Sequence, residues 1–305
     1  MNDVPLHAIY GAPPRQLVDV PADAVQLSPL MPGALALENC VEGSLASAVI
    51  AAPPGTLERC YVLAGVLQAL APGAPLTVLA LKDKGGSRIA DELRGFGCDV
   101  TETSRSHYRI CAATRPAVLS GIAEALDAGA MQQHPAHGLW TQPGIFSWDR
   151  VDMGSALLLA HLPPLAEKGA DFGCGLGVLS RAVLASPQVS ALTLMDIDRR
   201  AVEAAKRNIA DPRAQCVWAD VRQNNLADSS LDFVVMNPPF HEVGIEDKSL
   251  GQAFITQAAL VLKPGGACWL TANRHLPYEA LLQSCFRNVR RVAEADGFKI
   301  FVAEK

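Results

Sequence analysis

From about residue 150 the chain alternates short apolar runs with stretches of helical period. "VDMGSALLLAHL" (151–162) repeats its apolar positions every three to four residues and predicts a helix. "GADF" (169–172) is a short strand that runs into "GCGLG". "VLSRAVLAS" (178–186) is a helix, "ALTLMDI" (191–197) a strand and "RRAVEAAKRNIA" (199–210) a helix. "AQCVWAD" (214–220) and "LDFVVM" (231–236) are strands. "LGQAFITQAALVL" (250–262) is a helix that "KPGG" turns into the strand "ACWLTA" (267–272), and "PYEALLQSCF" (277–286) is a helix. "NVRRVAEA" (288–295) and "FKIFVAEK" (298–305) form a hairpin around Asp296-Gly297, a dipeptide suited to tight turns. Strands alternating with helices predict an α/β fold. Its sheet is mostly parallel and helix-covered on both faces, with an antiparallel hairpin closing one side.

The first half repeats part of this order. "AVIAAPPG" (48–55) matches "FVVMNPPF" (233–240), "LQALAPGAPLTVLAL" (67–81) matches "AALVLKPGGACWLTA" (258–272), and "HYRICAATR" (107–115) matches "GFKIFVAEK" (297–305). Three matches in one order predict a duplication. In the first copy Ala52 stands where the second has Asn237. Only about fifty residues precede the first "PP", too few for the Gly-loop half. The first copy is therefore expected to be truncated and degenerate, keeping the sheet without the chemistry. The segment "GAMQQHPAHGLWTQPGIFS" (129–147) is rich in Gly, Pro, Gln and His and reads as a junction. The expected division is residues 1–130, a linker over 131–147, and a catalytic domain over 148–305.

Composition narrows the function classes. The chain has 305 residues, half of them apolar, with a net charge of −5 and eight cysteines. No apolar run approaches the ~18–20 residues of a membrane span, and the first residues lack a signal-peptide pattern, so a cytoplasmic protein is expected. No two cysteines form a Cys-x-x-Cys pair, and His134 and His137 read as exposed linker histidines; no metal site is expected. The acidic balance speaks against an extended basic nucleic-acid surface without excluding a local one. Arg199, Arg200, Lys206, Arg207, Arg287, Arg290 and Arg291 read as solvated faces.

Candidate chemistry gathers at successive strand ends. Gly173, Gly175 and Gly177 let the backbone turn sharply and approach a ligand, but the third glycine comes one residue too early for the dinucleotide fingerprint. Asp196, at the tip of the next strand, is placed to accept both hydroxyls of a ribose, whereas Asp198 directly precedes a helix and reads as its cap. Asp220, after the third strand, is placed where an acceptor could take an adenine amino group, with a turn aspartate as the alternative. After the fourth strand comes "NPPF". Two prolines end a ladder and stiffen the chain. The Asn237 side-chain oxygen and the Pro238 main-chain carbonyl can then grip both hydrogens of an exocyclic amine, and Phe240 offers a face on which a base stacks. Phe146 is a further candidate for the cleft, with core packing as the alternative.

"DFGCGLG", "MDID", "WAD" and "NPPF" resemble the class I S-adenosylmethionine-dependent methyltransferases that act on amino groups. With "WTQPGIFSWDRVDMGSALLL" (140–159) and "NPPFH", the chain is similar to the bacterial ribosomal RNA guanine-N2 methyltransferases of the small-subunit type C family. The likeness is strong over 140–305 and thin over 1–130. The resemblance implies S-adenosylmethionine over Gly173, Gly175 and Gly177, with Asp171 near its methionine amino group, Asp196 on the ribose and Asp220 near the adenine. It also implies a flipped guanine between Asn237 and Phe240, and ribosomal RNA, most naturally 16S rRNA in the small subunit, as the partner, with no metal and no membrane. The same clamp could serve a 23S rRNA guanine, an adenine N6 or a protein glutamine. A dinucleotide reductase and a non-catalytic RNA-binding scaffold are the readings from other classes.

Overall fold

The computed structural model describes residues 6–223, 226–239, 241–242, 245–246 and 248–305. It divides into two compact units between Ala130 and Met131.

The first unit runs β1 (Leu6–Tyr10), β2 (Val25–Gln26), β3 (Leu45–Ala51), α1 (Thr56–Ala69), β4 (Pro75–Leu81), α2 (Ile89–Gly95), β5 (Val100–Arg105), β6 (Tyr108–Thr114) and α3 (Ile122–Gly129). Its sheet has the order β2-β1-β3-β4-β6-β5, with β6 antiparallel to both of its neighbours. Val62, Leu63, Val66 and Leu67 of α1 pack into a core with Leu45, Ile50, Leu76 and Val78. One charge is sealed inside. Arg59 is fully buried and grips Glu92 through Nε (2.7 Å) and Nη2 (2.6 Å). Its Nη1 donates to the carbonyls of Pro53 (3.2 Å) and Pro54 (2.8 Å).

The second unit runs β7 (Gln132–Gln133), β8 (Trp140–Thr141), α4 (Met153–His161), β9 (Glu167–Phe172), α5 (Val178–Leu184), β10 (Val189–Asp196), α6 (Arg199–Asn208), β11 (Ala214–Trp218), β12 (Leu231–Met236), β13 (His241–Glu242), β14 (Ile245–Glu246), α7 (Lys248–Val261), β15 (Leu262–Asn273), α8 (Glu279–Cys285), β16 (Asn288–Ala295) and β17 (Phe298–Glu304). The main sheet has the order β11-β10-β9-β12-β15-β17-β16. It is parallel up to β15, and β17 is antiparallel to β15 and β16, as the alternation of elements predicts. The near-continuous burial of β12 explains its unbroken apolar run, because a central parallel strand is covered on both faces. Asp296 and Gly297 both have positive φ, 51° and 83°, as a tight hairpin turn between β16 and β17 requires. "KPGG" does not separate helix from strand. β15 begins at Leu262 and runs through it with a shift of register.

The two sheets share a wiring. Ala51 pairs with Leu79 and Leu79 with Ile110, in the same parallel-then-antiparallel sense in which Met236 pairs with Leu270 and Leu270 with Phe301.

Residues 131–147, expected as a linker, belong to the second unit. Asn208 of α6 accepts from Trp140 N–H (2.7 Å) and donates to the Trp140 and Leu176 carbonyls (both 3.0 Å). Leu139 and Ile145 are buried with Leu176, Ala201 and Ala204. Nor are His134 and His137 loose histidines: their rings stack at 4.5 Å. Arg200 is no solvated cation either. It is buried, salt-bridged to Asp198 at 2.8 Å. All eight cysteines are free. Among the described residues no helix is long and apolar enough to cross a membrane, and no cluster of His, Cys, Asp and Glu could hold a metal ion.

Candidate active site

β9 and β12 are neighbours at the middle of the sheet, and Phe172 pairs with Met236 at their carboxyl ends. The residues that follow are thereby brought together: a Cβ added to Gly173 would lie 4.0 Å from the Asn237 carbonyl oxygen. Gly173, Gly175 and Gly177 all have positive φ (72°, 52° and 81°), the reason this turn is built of glycine. The Met195 carbonyl holds the turn, accepting from Gly173 N–H (2.8 Å) and Cys174 N–H (3.1 Å).

Asp196 sits at the tip of β10, where its Oδ2 accepts from Gly175 N–H (2.9 Å) and its Oδ1 from Asp198 N–H (2.9 Å). Burial raises its carboxyl to about 6, against those hydrogen bonds. Asp198 caps α6, accepting from Arg200 N–H at 2.9 Å, as its position before the helix suggests. Asp171 lies at the end of β9 with no exposed surface. Burial, assisted by the Asp196 charge, pushes its carboxyl up to about 7 against the hydrogen bond that Ser180 Oγ donates to Oδ2 (2.6 Å). Its Oδ1 is buried and has no partner among the described residues. Asp220, beyond β11, is engaged by Arg222, whose Nε donates to both carboxylate oxygens (3.0 and 2.9 Å). Burial raises this carboxyl, but the Arg222 hydrogen bonds and charge outweigh it and leave it below the ordinary value.

The arrangement around Asn237 is the most informative. Its Nδ2 donates to Asp152 Oδ2 (2.8 Å) and to Ser155 Oγ (2.9 Å). An ionised carboxylate only accepts, so the amide nitrogen must face Asp152 and its orientation is chemically determined. The side-chain Oδ1 is left over, with no partner among the described residues. Pro238 is buried, and among the described residues nothing donates to its carbonyl. Asp152 is itself the N-cap of α4, accepting from Ser155 N–H at 2.8 Å. Gly154 makes room for this: a Cβ there would meet the Phe298 ring at 2.8 Å and Asp152 Oδ2 at 3.1 Å. Phe240, expected as the stacking face, lies outside the described residues.

Asn237, Asp152, Ser155, Gly173 and Gly175 line one cavity, together with His137, Phe146 and Arg150. Phe146 is 57% exposed, which settles its two readings in favour of the cleft over the core. Asp171, Asp196 and Asp220 are not among the lining residues. Asp152 and Ser155 carry the anchor of Asn237 and were not singled out by the sequence. An Asp directly before an apolar-periodic run is an N-cap signal, but its bond to a residue 85 positions away leaves no local trace.

The methyltransferase small domain family model matches residues 136–302. Ribosomal RNA small subunit methyltransferase C of Pseudomonas aeruginosa strain LESB58 is 34% identical over 275 residues, covering 86% of this chain and 80% of that protein. The protein of the same name from Pseudomonas putida strain GB-1 is 31% identical over 266 residues, covering 84% and 78%. Among solved structures, the 16S rRNA N2 guanosine methyltransferase of T. thermophilus, in complex with AdoMet and guanosine, superposes with a TM-score of 0.81 at 23% identity. The match covers 99% of this chain and 88% of that one, and shows a common fold.

Proposed function

Since the chain belongs to the ribosomal RNA small subunit methyltransferase C family, we propose that its second unit transfers a methyl group from S-adenosylmethionine to the N2 amine of a guanosine in 16S rRNA. The observation that carries this reading is the tethered amide of Asn237. With its nitrogen held by Asp152 and Ser155, only its oxygen can meet an incoming amine.

The residues present fit the cofactor. The glycine turn beside Asn237 lets a ligand come close to the backbone, Asp196 is the ribose acceptor and Asp220 the adenine acceptor. The unpartnered, buried Oδ1 of Asp171 is an acceptor available to an ammonium. When bound, S-adenosylmethionine supplies an electrophilic methyl on a sulfonium whose leaving group is already activated. The protein then has to position the nucleophile. Asn237 Oδ1 and the Pro238 carbonyl each accept one N2 hydrogen, which disfavours delocalisation of the nitrogen lone pair into the purine and directs it along the line of transfer. Both acceptors also stabilise the positive charge that develops on N2 as the N–C bond forms and the C–S bond breaks, until one proton passes to water. Phe240 is assigned to stacking on the flipped base.

The first unit we read as a degenerate copy. It has the strand wiring of the second, Ala52 in place of Asn237, and prolyl carbonyls already taken by Arg59. The RNA is taken to be presented within the small ribosomal subunit, in the cytoplasm.

Asn237→Ala should abolish methyl transfer to 16S rRNA while S-adenosylhomocysteine affinity stays within about threefold, since only a transition-state contact is removed. Normal turnover by this variant refutes the clamp. Nucleoside mass analysis separates N2-methylguanosine from N6-methyladenosine, and parallel assays on free 16S rRNA, 23S rRNA and isolated subunits identify the substrate.

A further inference from the structure

We propose that His137 binds the carboxylate at the methionine end of the cofactor, through a hydrogen bond donated by Nε2. The inference rests on the cofactor assignment above. Leu139 N–H donates to His137 Nδ1 at 3.2 Å. A backbone N–H can only donate, so Nδ1 holds a lone pair and the ring hydrogen is on Nε2. That Nε2 is buried and has no partner among the described residues. A buried donor without an acceptor is unfavourable, and such groups are rare unless something arrives to satisfy them. The ring is also held in place. His134 stacks on it at 4.5 Å with 12° between planes, and Trp148 meets His134 edge-on at 6.1 Å.

The location selects the ligand group. His137 lines the same cavity as Asn237 and Gly173. For the methyl to reach an amine held by Asn237, the sulfonium must lie beside that residue. With Asp196 and Asp220 as its acceptors, the adenosine would extend toward the tips of β10 and β11. With Asp171 on its ammonium, the carboxylate of the methionine end would face the cavity walls built by 137–155. Of the polar side chains there, Asp152, Ser155 and Asn237 are committed to one another, and Ser147 adds a neutral hydroxyl on a half-buried residue, without the atom-level burial of His137 Nε2. The Arg150 guanidinium is shared with Asp149 at 3.3 Å and is 75% exposed. His137 Nε2 is the sheltered donor, and a carboxylate is the acceptor the methionine end presents.

The test compares S-adenosylmethionine with its decarboxylated analogue by calorimetry. His137→Phe keeps a flat ring for the stack and removes the donor. It should weaken S-adenosylmethionine by about tenfold and leave the decarboxylated analogue within about twofold, the loss of one charge-assisted hydrogen bond. His137→Gln, which restores an N–H donor, should recover most of the difference. Equal weakening of both nucleosides, or of neither, overturns the assignment. So does an unchanged cofactor affinity with a raised KM for RNA, which would put Nε2 on an oxygen of the guanine, and so does a carboxylate preference lost in Arg150→Ala instead. Where a missing thermal transition shows that His137→Phe does not fold, the same two affinities are measured on His137→Ala. A wild-type protein that binds neither nucleoside would refute the cofactor assignment itself, an outcome distinct from all of these.

Discussion

Replacing Asp152 tests the tether of Asn237 apart from Asn237 itself. The carboxylate does two jobs: it caps α4 through Ser155 N–H and it holds the Asn237 amide nitrogen, both at 2.8 Å. Asp152→Ala removes both, and the lost cap alone costs about 1 kcal/mol of stability. Asp152→Ser separates them. A serine still caps a helix, but its side chain is one atom shorter and does not reach Asn237. The amide then keeps only its Ser155 contact, 2.9 Å long, and is free to rotate. In the rotated state an N–H would face the N–H of the substrate amine, so one acceptor of the clamp becomes a repelling donor. Removal of a preorganised group facing a developing charge typically lowers kcat by about 10²–10³-fold, or ~3–4 kcal/mol. For Asp152→Ser the expectation is a kcat loss near the lower end of that range, a KM for RNA that changes little, and a melting temperature close to wild type. The assay is single-turnover transfer of labelled methyl to 16S rRNA with both substrates saturating, alongside S-adenosylhomocysteine affinity to show that the cofactor cleft is intact. A kcat within about threefold of wild type, with the protein folded, would refute the claim that Asp152 orients the amide.

Gly154→Ala should act on the same tether by crowding: its Cβ would press on the Phe298 ring and on Asp152 Oδ2, costing ~1–3 kcal/mol of stability and lowering kcat, as thermal melts and turnover would show. The ligand-free protein should lose stability as pH rises from about 4 to about 7. Asp171 is raised from 3.8 to about 7, so the folded chain keeps a proton that the unfolded chain releases. The folded state is favoured at the acid end, and up to about 4 kcal/mol is lost on the way up. Asp196, raised to about 6, acts in the same direction, so Asp171→Asn should reduce the dependence of urea-unfolding midpoints on pH without abolishing it, and a slope as steep as wild type would place its origin outside Asp171. In the first unit, Arg59→Ala leaves Glu92 without its buried partner and should destabilise that unit by about 3–5 kcal/mol, read from its unfolding transition.

Much of the second unit was legible because its rules are local. "LDFVVM" is β12 to the residue, since a strand covered on both faces needs an uninterrupted apolar run. Asp198 is recognisable as a cap because it stands directly before an amphipathic helix. Residues 131–147 were misread for the same reason. Their Pro, Gly and His content resembles a linker, whereas what fixes them is the Asn208 side chain, 68 residues after Trp140. The anchor of Asn237 and the Arg59–Glu92 pair were illegible on the same ground, for each joins side chains that only the folded sheet brings together.

The contrast between the two units shows where chemistry enters a shared frame. Both sheets carry a strand that ends in a residue followed by two prolines, with equivalent neighbours in register. In the second unit the residue is Asn237, the prolyl carbonyl Pro238 O receives nothing from the described residues, and an amine can take its place between two acceptors. In the first the residue is Ala52, and the carbonyls of Pro53 and Pro54 accept from a guanidinium of the same chain. A guanidinium is a planar nitrogen donor, chemically close to the amine edge of guanine. It occupies both carbonyls from inside the fold, since Arg59 itself is fully buried. The first site is therefore filled from within rather than merely stripped of its asparagine. It follows that Ala52→Asn alone would not create a second methyl acceptor site: Arg59 would still hold the carbonyls, and nucleoside analysis with the Asn237→Ala background should show no product.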